Sequence, residues 1–200
     1  MKKKILLFGA GGHTNSCIDV IQKTNQFEIV GLIGKKVEIG NEINGFKVLG
    51  TENDASIFFK KGVRNALITL GSYKHLNVRK KIFNLLKKKK FIFPKIISPL
   101  AYVSRFSQIA EGTIVMHGAI VNSNSEIGSN CIINSKSLIE HDCEIKNNVH
   151  ISTGSILNGS VKVGSNSFIG SGSVIKNGLI IKSGSFIKMG SILKRWRKEY

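Results

Sequence analysis

A histidine followed directly by an aspartate is the part of this sequence best suited to proton transfer. His141 and Asp142 are neighbours, Asn134 lies about one repeat earlier, and His150 follows in the next segment. An imidazole beside a carboxylate can act as an oriented general base. Most other outward positions nearby are Ser, Lys, Asn or Gly, so we expect chemistry at these four residues. The other interpretation is that His141 is an ordinary solvated surface histidine.

A hexapeptide repeat must position these residues. Ile, Val or Leu recurs at every sixth position from Ile97 to Leu193 without a slip, and a small or apolar residue stands two positions earlier. Gly or Asn often falls between, as at Gly164, Gly170 and Gly190, where a tight corner needs a left-handed backbone. A strict period of six fits neither an α-helix nor a coiled coil. It predicts a parallel β-helix with three faces and about 18 residues per coil.

The first half of the chain predicts a small α/β domain. Lys4–Phe8 is a buried strand, Gly9–His13 a glycine turn, and the following apolar residues have helical spacing. Such a turn offers backbone N–H groups and a helix N-terminus to an anion. The third glycine of a dinucleotide fingerprint would fall at Thr14, and no Asp or Glu ends the second strand, Phe27–Ile33. We therefore do not predict NAD binding.

The rest of this half predicts two further parallel strands and a linker. The strands are Ala66–Leu70, which ends next to Gly71, and Phe91–Phe93. Gly45–Gly50 is predicted to be an ordered turn, and residues 94–99 to be the linker. We expect four or so parallel strands, with domains at residues 1–95 and 96–200.

Charge and composition narrow the class of partner. The net charge is +18, and residues 1–95 contain 19 Lys and Arg against 6 Asp and Glu. No aromatic residues interleave with the lysines as in a strand-binding groove, so we expect phosphorylated small ligands and no nucleic acid. No apolar run is long enough to cross a bilayer, and the N-terminus does not resemble a signal peptide. We expect a cytoplasmic protein without a membrane partner.

Cysteine and histidine spacing argues against a metal site. Cys17, Cys131 and Cys143 are an odd number without metal-ligand spacing. The latter two occupy small inward positions, which indicates core packing in a reducing cytosol. A zinc hydratase would need three convergent imidazoles. His117 and His141 are four repeats apart and therefore on different faces, so only ligands from two chains would remain possible.

The whole chain resembles the hexapeptide-repeat bacterial sugar acyltransferases. These include the sialic-acid O-acetyltransferase type and the UDP-4-amino-sugar N-acetyltransferase type. The similarity lies in four segments: Gly9–His13, Ile43–Gly50, Ile96–Ala101 and Ile133–Cys143. The resemblance implies a Rossmann-like N-terminal domain, a left-handed β-helix, acetyl-CoA as co-substrate, no metal, and a homotrimer with acetyl-CoA between subunits.

The resemblance also implies roles for single residues. His141 would be the general base, Asp142 would raise its basicity, and Asn134 would hold the acceptor or the histidine. His150 would donate a hydrogen bond to the thioester carbonyl. Two further groups of residues would bind the substrates. Gly159, Ser171 and Met189 would line the pantetheine groove, and Gly11, Gly12, His13 and Gly71 would hold a nucleotide-sugar acceptor.

Two features of this chain differ from those of the relatives, and the first leaves the identity of the acceptor sugar undecided. Relatives that bind UDP-sugars often end the second strand with an acidic pair, whereas this chain has Gly34-Lys35-Lys36. Lys35 could instead contact a phosphate or a carboxylate, which suits a sialic-acid-like sugar and O-acetylation. Near the C-terminus, residues 194–198 are basic and could contact the CoA phosphates or form a solvated tail. The alternative of another class is a non-catalytic solenoid that binds a sugar nucleotide or a protein.

Overall fold

The computed structural model describes residues 2–71, 74 and 76–194. The chain divides into two compact units, Met1–Ile96 and Ile97–Tyr200. The first is an α/β unit and the second a left-handed parallel β-helix, which confirms the predicted fold class.

A mostly parallel sheet forms the centre of the α/β unit. Its strands are β1 Lys3–Phe8, β2 Phe27–Ile33, β3 Glu42–Ile43, β4 Phe46–Gly50 and β5 Asn65–Ile68. The order across the sheet is β3-β4-β2-β1-β5. The pairs β4–β2, β2–β1 and β1–β5 are parallel, and the short β3 forms an antiparallel hairpin with β4. The carboxyl ends of four strands therefore meet at one edge.

Three helices accompany this sheet: α1 Gly12–Thr24, α2 Ala55–Lys60 and α3 Leu76–Lys88. Helix α1 buries Cys17, Ile18 and Ile21 at helical spacing and ends at Asn25, whose φ of 56° is left-handed. Side chains of α2 and α3 share one apolar cluster with β1 and β5. The two short 3₁₀ turns, Lys36–Glu38 and Glu52–Asp54, follow β2 and β4.

Two local predictions in this unit are wrong. Phe46–Gly50, predicted to be a turn, is the strand β4, because Val48 and Gly50 are buried beside β2. Phe91–Phe93, predicted to be a strand, contributes only an isolated bridge between Ile92 and Asn65. Phe91 and Phe93 instead pack into the apolar cluster under α2 and α3.

The solenoid has three faces made of two-residue strands. Face 1 contains β6 Ile96–Ile97, β9 Ile114–Val115, β12 Ile132–Ile133, β15 His150–Ile151, β18 Phe168–Ile169 and β21 Phe186–Ile187. Face 2 contains β7 Tyr102–Val103, β10 Ile120–Val121, β13 Leu138–Ile139, β16 Ile156–Leu157, β19 Val174–Ile175 and β22 Ile192–Leu193. Face 3 contains β8 Gln108–Ile109, β11 Glu126–Ile127, β14 Glu144–Ile145, β17 Lys162–Val163 and β20 Ile180–Ile181.

The second residue of each strand points inward and the first outward, as the pleat requires. The inward residues form one continuous aliphatic cluster. Outward residues differ by face: face 2 is apolar along its whole length, while face 3 carries Glu126, Glu144 and Lys162. Face 1 is also apolar apart from His150.

Left-handed corner residues recur every six positions. They include seven glycines and four asparagines, and also Lys136, Asp142 and Ser160, with φ between 55° and 70° except at Gly184 (75°). Gly190 is one of these corners, but Gly164 and Gly170 are not. There a Cβ would collide with backbone atoms of the next coil, so glycine is needed for close approach between coils.

Candidate active site

His141 and Asp142 form a hydrogen-bonded pair at the corner between faces 2 and 3. Nδ1 of His141 lies 2.7 Å from Oδ2 of Asp142, and the two side chains are 61% and 50% exposed. Because the carboxylate accepts from Nδ1–H, Nε2 is the nitrogen left to take a proton. Hydrogen bonds from His141 and Asn124 hold the pKa of Asp142 below its usual value, so the carboxylate stays charged.

Gly159, one coil further on, leaves room for the imidazole. A Cβ at Gly159 would stand 2.6 Å from Cε1 and 2.7 Å from Nε2 of His141. No left-handed φ is recorded there, so space is what favours glycine. His141 and Gly159 belong to the lining of a cavity of about 450 Å³, completed by Glu140, Asn158, Ser160 and Asn177. A substrate in this cavity would meet Nε2 directly.

The nearby thiol is not available as a nucleophile. Cys143 points inward, and its thiol hydrogen bonds to the carbonyl oxygen of Asn158 at 3.3 Å. Burial raises the pKa of Cys143 to about 11, so the reactive thiolate is scarce at neutral pH. The described geometry therefore favours direct transfer over a cysteine-bound intermediate.

His150 and Asn134 form a second polar pair, on face 1. The side chain of His150 is outward but buried, with Phe168 edge-on at 5.0 Å between ring centroids. Nδ2 of Asn134 lies 3.2 Å from Nε2 of His150, and the amide oxygen of Asn134 accepts from the N–H of Ser135. The amide N–H₂ must therefore face Nε2, which accepts, and Nδ1 carries the proton of the neutral ring.

The predicted site residues thus fall into two groups within one chain. His141, Asp142 and Gly159 meet at the corner between faces 2 and 3. Asn134 and His150 lie on or beside face 1, and Asn134 contacts His150 and not His141. Ser171 and Met189 occupy the corner between faces 1 and 2, where Ser171 contacts Ser152 and Met189 is 79% exposed.

The three histidines of the solenoid do not converge on a metal. His117 lies at the corner between faces 1 and 2, with Nδ1 2.5 Å from Oγ of Ser98. Among the described residues, no group of three or more His, Cys, Asp or Glu side chains could hold a metal ion. His141 and His150 are on different parts of the solenoid, as described above.

In the α/β unit, the glycine turn meets the end of β5. No atom lies within 4 Å of where a Cβ of Gly11 or Gly12 would be, and α1 starts without a side-chain cap. The ring of His13 lies against Gly71, where a Cβ would come 2.5 Å from Cγ. Four residues predicted to bind the acceptor therefore sit together at the carboxyl edge of the sheet, beside open space at Gly11 and Gly12.

Arg79 donates hydrogen bonds at this edge, and no sequence motif pointed to it. Its guanidinium is buried and donates to the carbonyl oxygens of Ile68 and Leu70, at 2.7 and 3.0 Å. Burial, and then the charge of Arg79, lower the pKa of His13 to about 4, so the imidazole is neutral at pH 7. Thr14 and Thr69 join α1 to the end of β5 through their hydroxyls, 3.0 Å apart.

Four cavity residues were also missed from the sequence. Glu140 is the neighbour of His141 along the chain, whereas Asn158, Ser160 and Asn177 look like ordinary solenoid surface residues and come beside His141 only through the stacking of coils. Asn177 lies 18 residues after Gly159, in the same corner column, which is the one signal that could have found it. The predicted basic tail, residues 194–198, lies outside the described residues beyond Lys194.

No described helix is long and apolar enough to span a membrane.

Two family models match the chain. Residues 4–86 match the PglD N-terminal domain, and residues 142–177 match the bacterial transferase hexapeptide with six repeats. No curated protein matches the chain. The two matches cover parts of both units and agree with the predicted family.

Solved structures match over nearly the full length. The acetyltransferase domain of PglB from Neisseria gonorrhoeae is 26% identical, with a TM-score of 0.91 over 99% of this chain and 94% of that one. The same domain in complex with acetyl coenzyme A gives 25% identity and a TM-score of 0.86, over 98% of this chain and 92% of that one. A variant of perosamine N-acetyltransferase from Caulobacter crescentus, in complex with CoA and GDP-perosamine, gives 24% and 0.90, over 96% and 89%.

Proposed function

Since the chain matches the PglD N-terminal domain and the bacterial transferase hexapeptide and is an acyltransferase that uses acetyl-CoA, we propose that it is a hexapeptide-repeat sugar acyltransferase that acetylates the 4-amino group of a nucleotide-linked amino sugar. The observation that carries this proposal is the His141–Asp142 pair beside a cavity of about 450 Å³. One nitrogen of the imidazole is held by a carboxylate and the other faces the cavity, which is the arrangement that a general base requires.

In the proposed reaction, Nε2 of His141 removes a proton from the acceptor amine as its nitrogen attacks the thioester carbonyl. The new C–N bond forms, the C–S bond breaks, and His141 returns the proton to the departing thiolate. Asp142 stabilises the imidazolium between these events. The high pKa of Cys143 leaves no thiolate to compete, so transfer is direct.

We assign the stabilisation of the carbonyl oxygen to His150. Its proton is on Nδ1 when Asn134 donates to Nε2. A donor that is fixed in one tautomer and shielded from water is worth more to a developing negative charge than an exposed one. Asn134 is then a positioning residue for His150.

A homotrimer would bring the two groups of residues together. Faces 1 and 2 share a corner and are apolar, whereas face 3 is charged. Exposed apolar residues are concentrated on the first two: Phe186 on face 1, and Tyr102 and Ile192 on face 2. Contact between face 1 of one copy and face 2 of the next is heterologous and closes into a ring of three. We propose that acetyl-CoA binds in the crevice between copies, along Gly159, Ser171 and Met189.

The acceptor would be held by the α/β unit. Its glycine turn and the start of α1 present backbone N–H groups to a diphosphate beside the open space at Gly11 and Gly12, and His13 and Gly71 border the same edge. Acetyl-CoA and nucleotide sugars are made in the cytoplasm, which is where we place the reaction, in the synthesis of a surface glycan. O-acetylation of a sialic-acid-like sugar is the second candidate, favoured by the exposed Lys35 at the end of β2.

The experiment is a thiol-release assay with acetyl-CoA and a panel of acceptors. The panel contains UDP- and GDP-linked 4-amino-4,6-dideoxy sugars, the same sugars without a nucleotide, and CMP-linked and free sialic acids. We expect release only with a nucleotide-linked amino sugar, and a product whose acetyl group resists hydroxylamine, as an amide does. An acetyl group that hydroxylamine removes would indicate an ester and the sialic-acid alternative.

A thermal shift with CoA tests the non-catalytic alternative. A protein that binds CoA is stabilised by it, so its melting temperature rises with CoA concentration. No shift, together with no thiol release for any acceptor, would contradict an acetyltransferase and favour a binding solenoid.

A further inference from the structure

The carboxylate of Glu38 lies at the carboxyl end of β2, although no acidic residue directly follows that strand in the sequence. Strand β2 ends at Ile33 and is followed by Gly34 and Lys35, and Glu38 comes at the end of the next 3₁₀ turn. Oε2 of Glu38 accepts a hydrogen bond from the backbone N–H of Lys35 at 2.6 Å. The carboxylate thus lies next to the strand end, although Glu38 is five residues beyond Ile33.

Gly34 provides the space for this carboxylate. A Cβ at Gly34 would stand 2.7 Å from Oε2 of Glu38 and 3.1 Å from Cβ of Ala10. The backbone of Gly34 is not left-handed, so any residue could adopt its φ; the neighbouring side chains are what exclude a Cβ. Glu38 and Ala10 therefore both border Gly34, and Ala10 belongs to the glycine turn between β1 and α1.

The loop after β4 has the same local geometry and a different location. Gly50 ends that strand, Oδ2 of Asp54 accepts from the N–H of Thr51 at 2.8 Å, and the three atoms nearest to a Cβ at Gly50 would all belong to Asp54. Asp54 thus caps its turn as Glu38 does, but one strand further from the glycine turn. Capping explains both carboxylates, and only Glu38 follows the strand that neighbours β1, from which the glycine turn leads into α1.

We propose that Glu38 binds the ribose hydroxyls of the nucleotide in the acceptor. This inference rests on the proposed function, and it names the residue that replaces the missing acid at the strand end. A diphosphate on the N–H groups at Gly11 and Gly12 would place the ribose over the neighbouring strand, β2. In doubly wound nucleotide-binding units, an acid near the end of the second strand accepts hydrogen bonds from these hydroxyls.

The carboxylate has the capacity for this role. Only Oε2 is used by the N–H of Lys35, and Oε1 makes no hydrogen bond to any residue in the described part of the chain. Glu38 is partly exposed, so a ribose can reach it. Hydrogen bonds from hydroxyls to a charged carboxylate are stronger than neutral ones, which makes the effect measurable.

The test compares nucleotides with and without the ribose hydroxyls. Dissociation constants for UDP, GDP and their 2′,3′-dideoxy analogues are measured by calorimetry with the full chain and with Glu38→Gln. We expect the wild type to bind its preferred nucleotide about tenfold more tightly than the dideoxy analogue. Glu38→Gln should lose about the same factor for the ribonucleotide and nothing further for the dideoxy analogue.

Asp54→Asn is the matched control. It changes an equivalent capping carboxylate after β4, so it should leave the ratio between ribonucleotide and dideoxynucleotide at the wild-type value. Glu38→Gln keeps an oxygen that can accept from Lys35, and thermal unfolding should show that the turn survives.

Two outcomes would overturn the assignment. If Glu38→Gln weakens both nucleotides equally, or neither, the carboxylate serves the turn alone. If the wild type binds no nucleotide, the ribose subsite is absent; thiol release with an amino sugar that carries no nucleotide would then leave the acetyltransferase proposal intact.

Discussion

The two polar pairs of the solenoid place histidine in opposite environments. His141 stands at a corner, 61% exposed, with a carboxylate 2.7 Å from Nδ1. His150 stands on face 1, 4% exposed, between an amide and an aromatic ring. The first environment places a carboxylate beside one ring nitrogen and leaves the ring in contact with solvent. The second places an amide beside one ring nitrogen, which selects one tautomer, and shields the ring from solvent.

The two environments suit two different catalytic roles on one repeating scaffold. A base must gain and lose a proton in each turnover, which a carboxylate partner and solvent contact favour. A hydrogen-bond donor to a carbonyl must stay neutral and fixed, which burial and an amide favour. The solenoid supplies the two environments by placing one histidine on a corner and the other on a flat strand.

The largest effect should come from removing the proposed base. His141→Ala should lower kcat about 10³-fold, because general-base catalysis is lost, with little change in the KM for acetyl-CoA. Thiol release measures both constants. The control is His117→Ala, which removes a corner histidine without an assigned role. Full activity in His141→Ala would show that His141 is not the base, and the assignment of different roles to the two histidines would be wrong.

The next effect should come from the buried histidine. His150→Phe keeps a flat ring against Phe168 and removes both ring nitrogens, so kcat should fall roughly 300-fold, the cost of losing one carbonyl donor. Phe168→Leu is the control, since it changes the packing and leaves the imidazole in place. An equal loss in both variants would mean that packing, and not hydrogen bonding, is what His150 contributes.

His13 is a third histidine, and its burial should make the stability of the fold depend on pH. Burial, and then Arg79, lower the pKa of His13 to about 4. Above pH 6.5 the ring is neutral in both folded and unfolded chains and has no effect. As the pH falls from 6.5 to 4, only the unfolded chain takes up the proton, so the unfolding free energy should fall by about 2 to 3 kcal/mol.

Thermal melting of the wild type and of His13→Gln at pH 7 and pH 4.5 measures this contribution. The melting temperature of the wild type should fall more between the two pH values than that of the variant. Equal falls would show that His13 is already solvated like an unfolded histidine, and the contrast between buried and exposed histidines would not extend to the α/β unit.

The smallest effect should come from the carboxylate beside His141. Asp142→Gly should lower kcat about tenfold and leave the KM for acetyl-CoA unchanged, since only the orientation and charge stabilisation of the base are lost. Asp142→Asn should lose less, because its amide oxygen still accepts from Nδ1–H. Both residues tolerate the left-handed φ of 57°. If the two variants lost activity equally, the charge of Asp142 and not its hydrogen bond would be what matters.

Much of the fold was predictable because its signals are local and periodic. The six-residue period reflects a backbone geometry that repeats in each face. Asp142 keeps this geometry, because it adopts the left-handed corner conformation that Gly or Asn adopts in most other repeats. Phe46–Gly50 was not predictable as a strand, because a short segment that begins at the turn residue Gly45 becomes a strand only by pairing with β2.

The site was predictable in part for the same reason. His141 and Asp142 are adjacent in sequence, so their contact is local. The assignment of His141 as the base stays a prediction. The placement of Gly159 under the imidazole depends on the 18-residue coil, and Arg79 reaches β5 from a helix that carries no motif. Asn134 was expected near either the acceptor or a histidine, and only the structure pairs it with His150.

By itself the sequence determined the two-part fold, the family and the residues able to do chemistry, because periodicity, glycine turns and residue type are properties of neighbours along the chain. The tertiary structure decided which of those residues share a space. It placed the polar residues of the solenoid partly at a corner and partly on a face. It also brought the carboxylate of Glu38 close to the end of β2, although Glu38 is five residues further along the chain. Proximity across coils and loops follows from packing in three dimensions, which sequence spacing does not record.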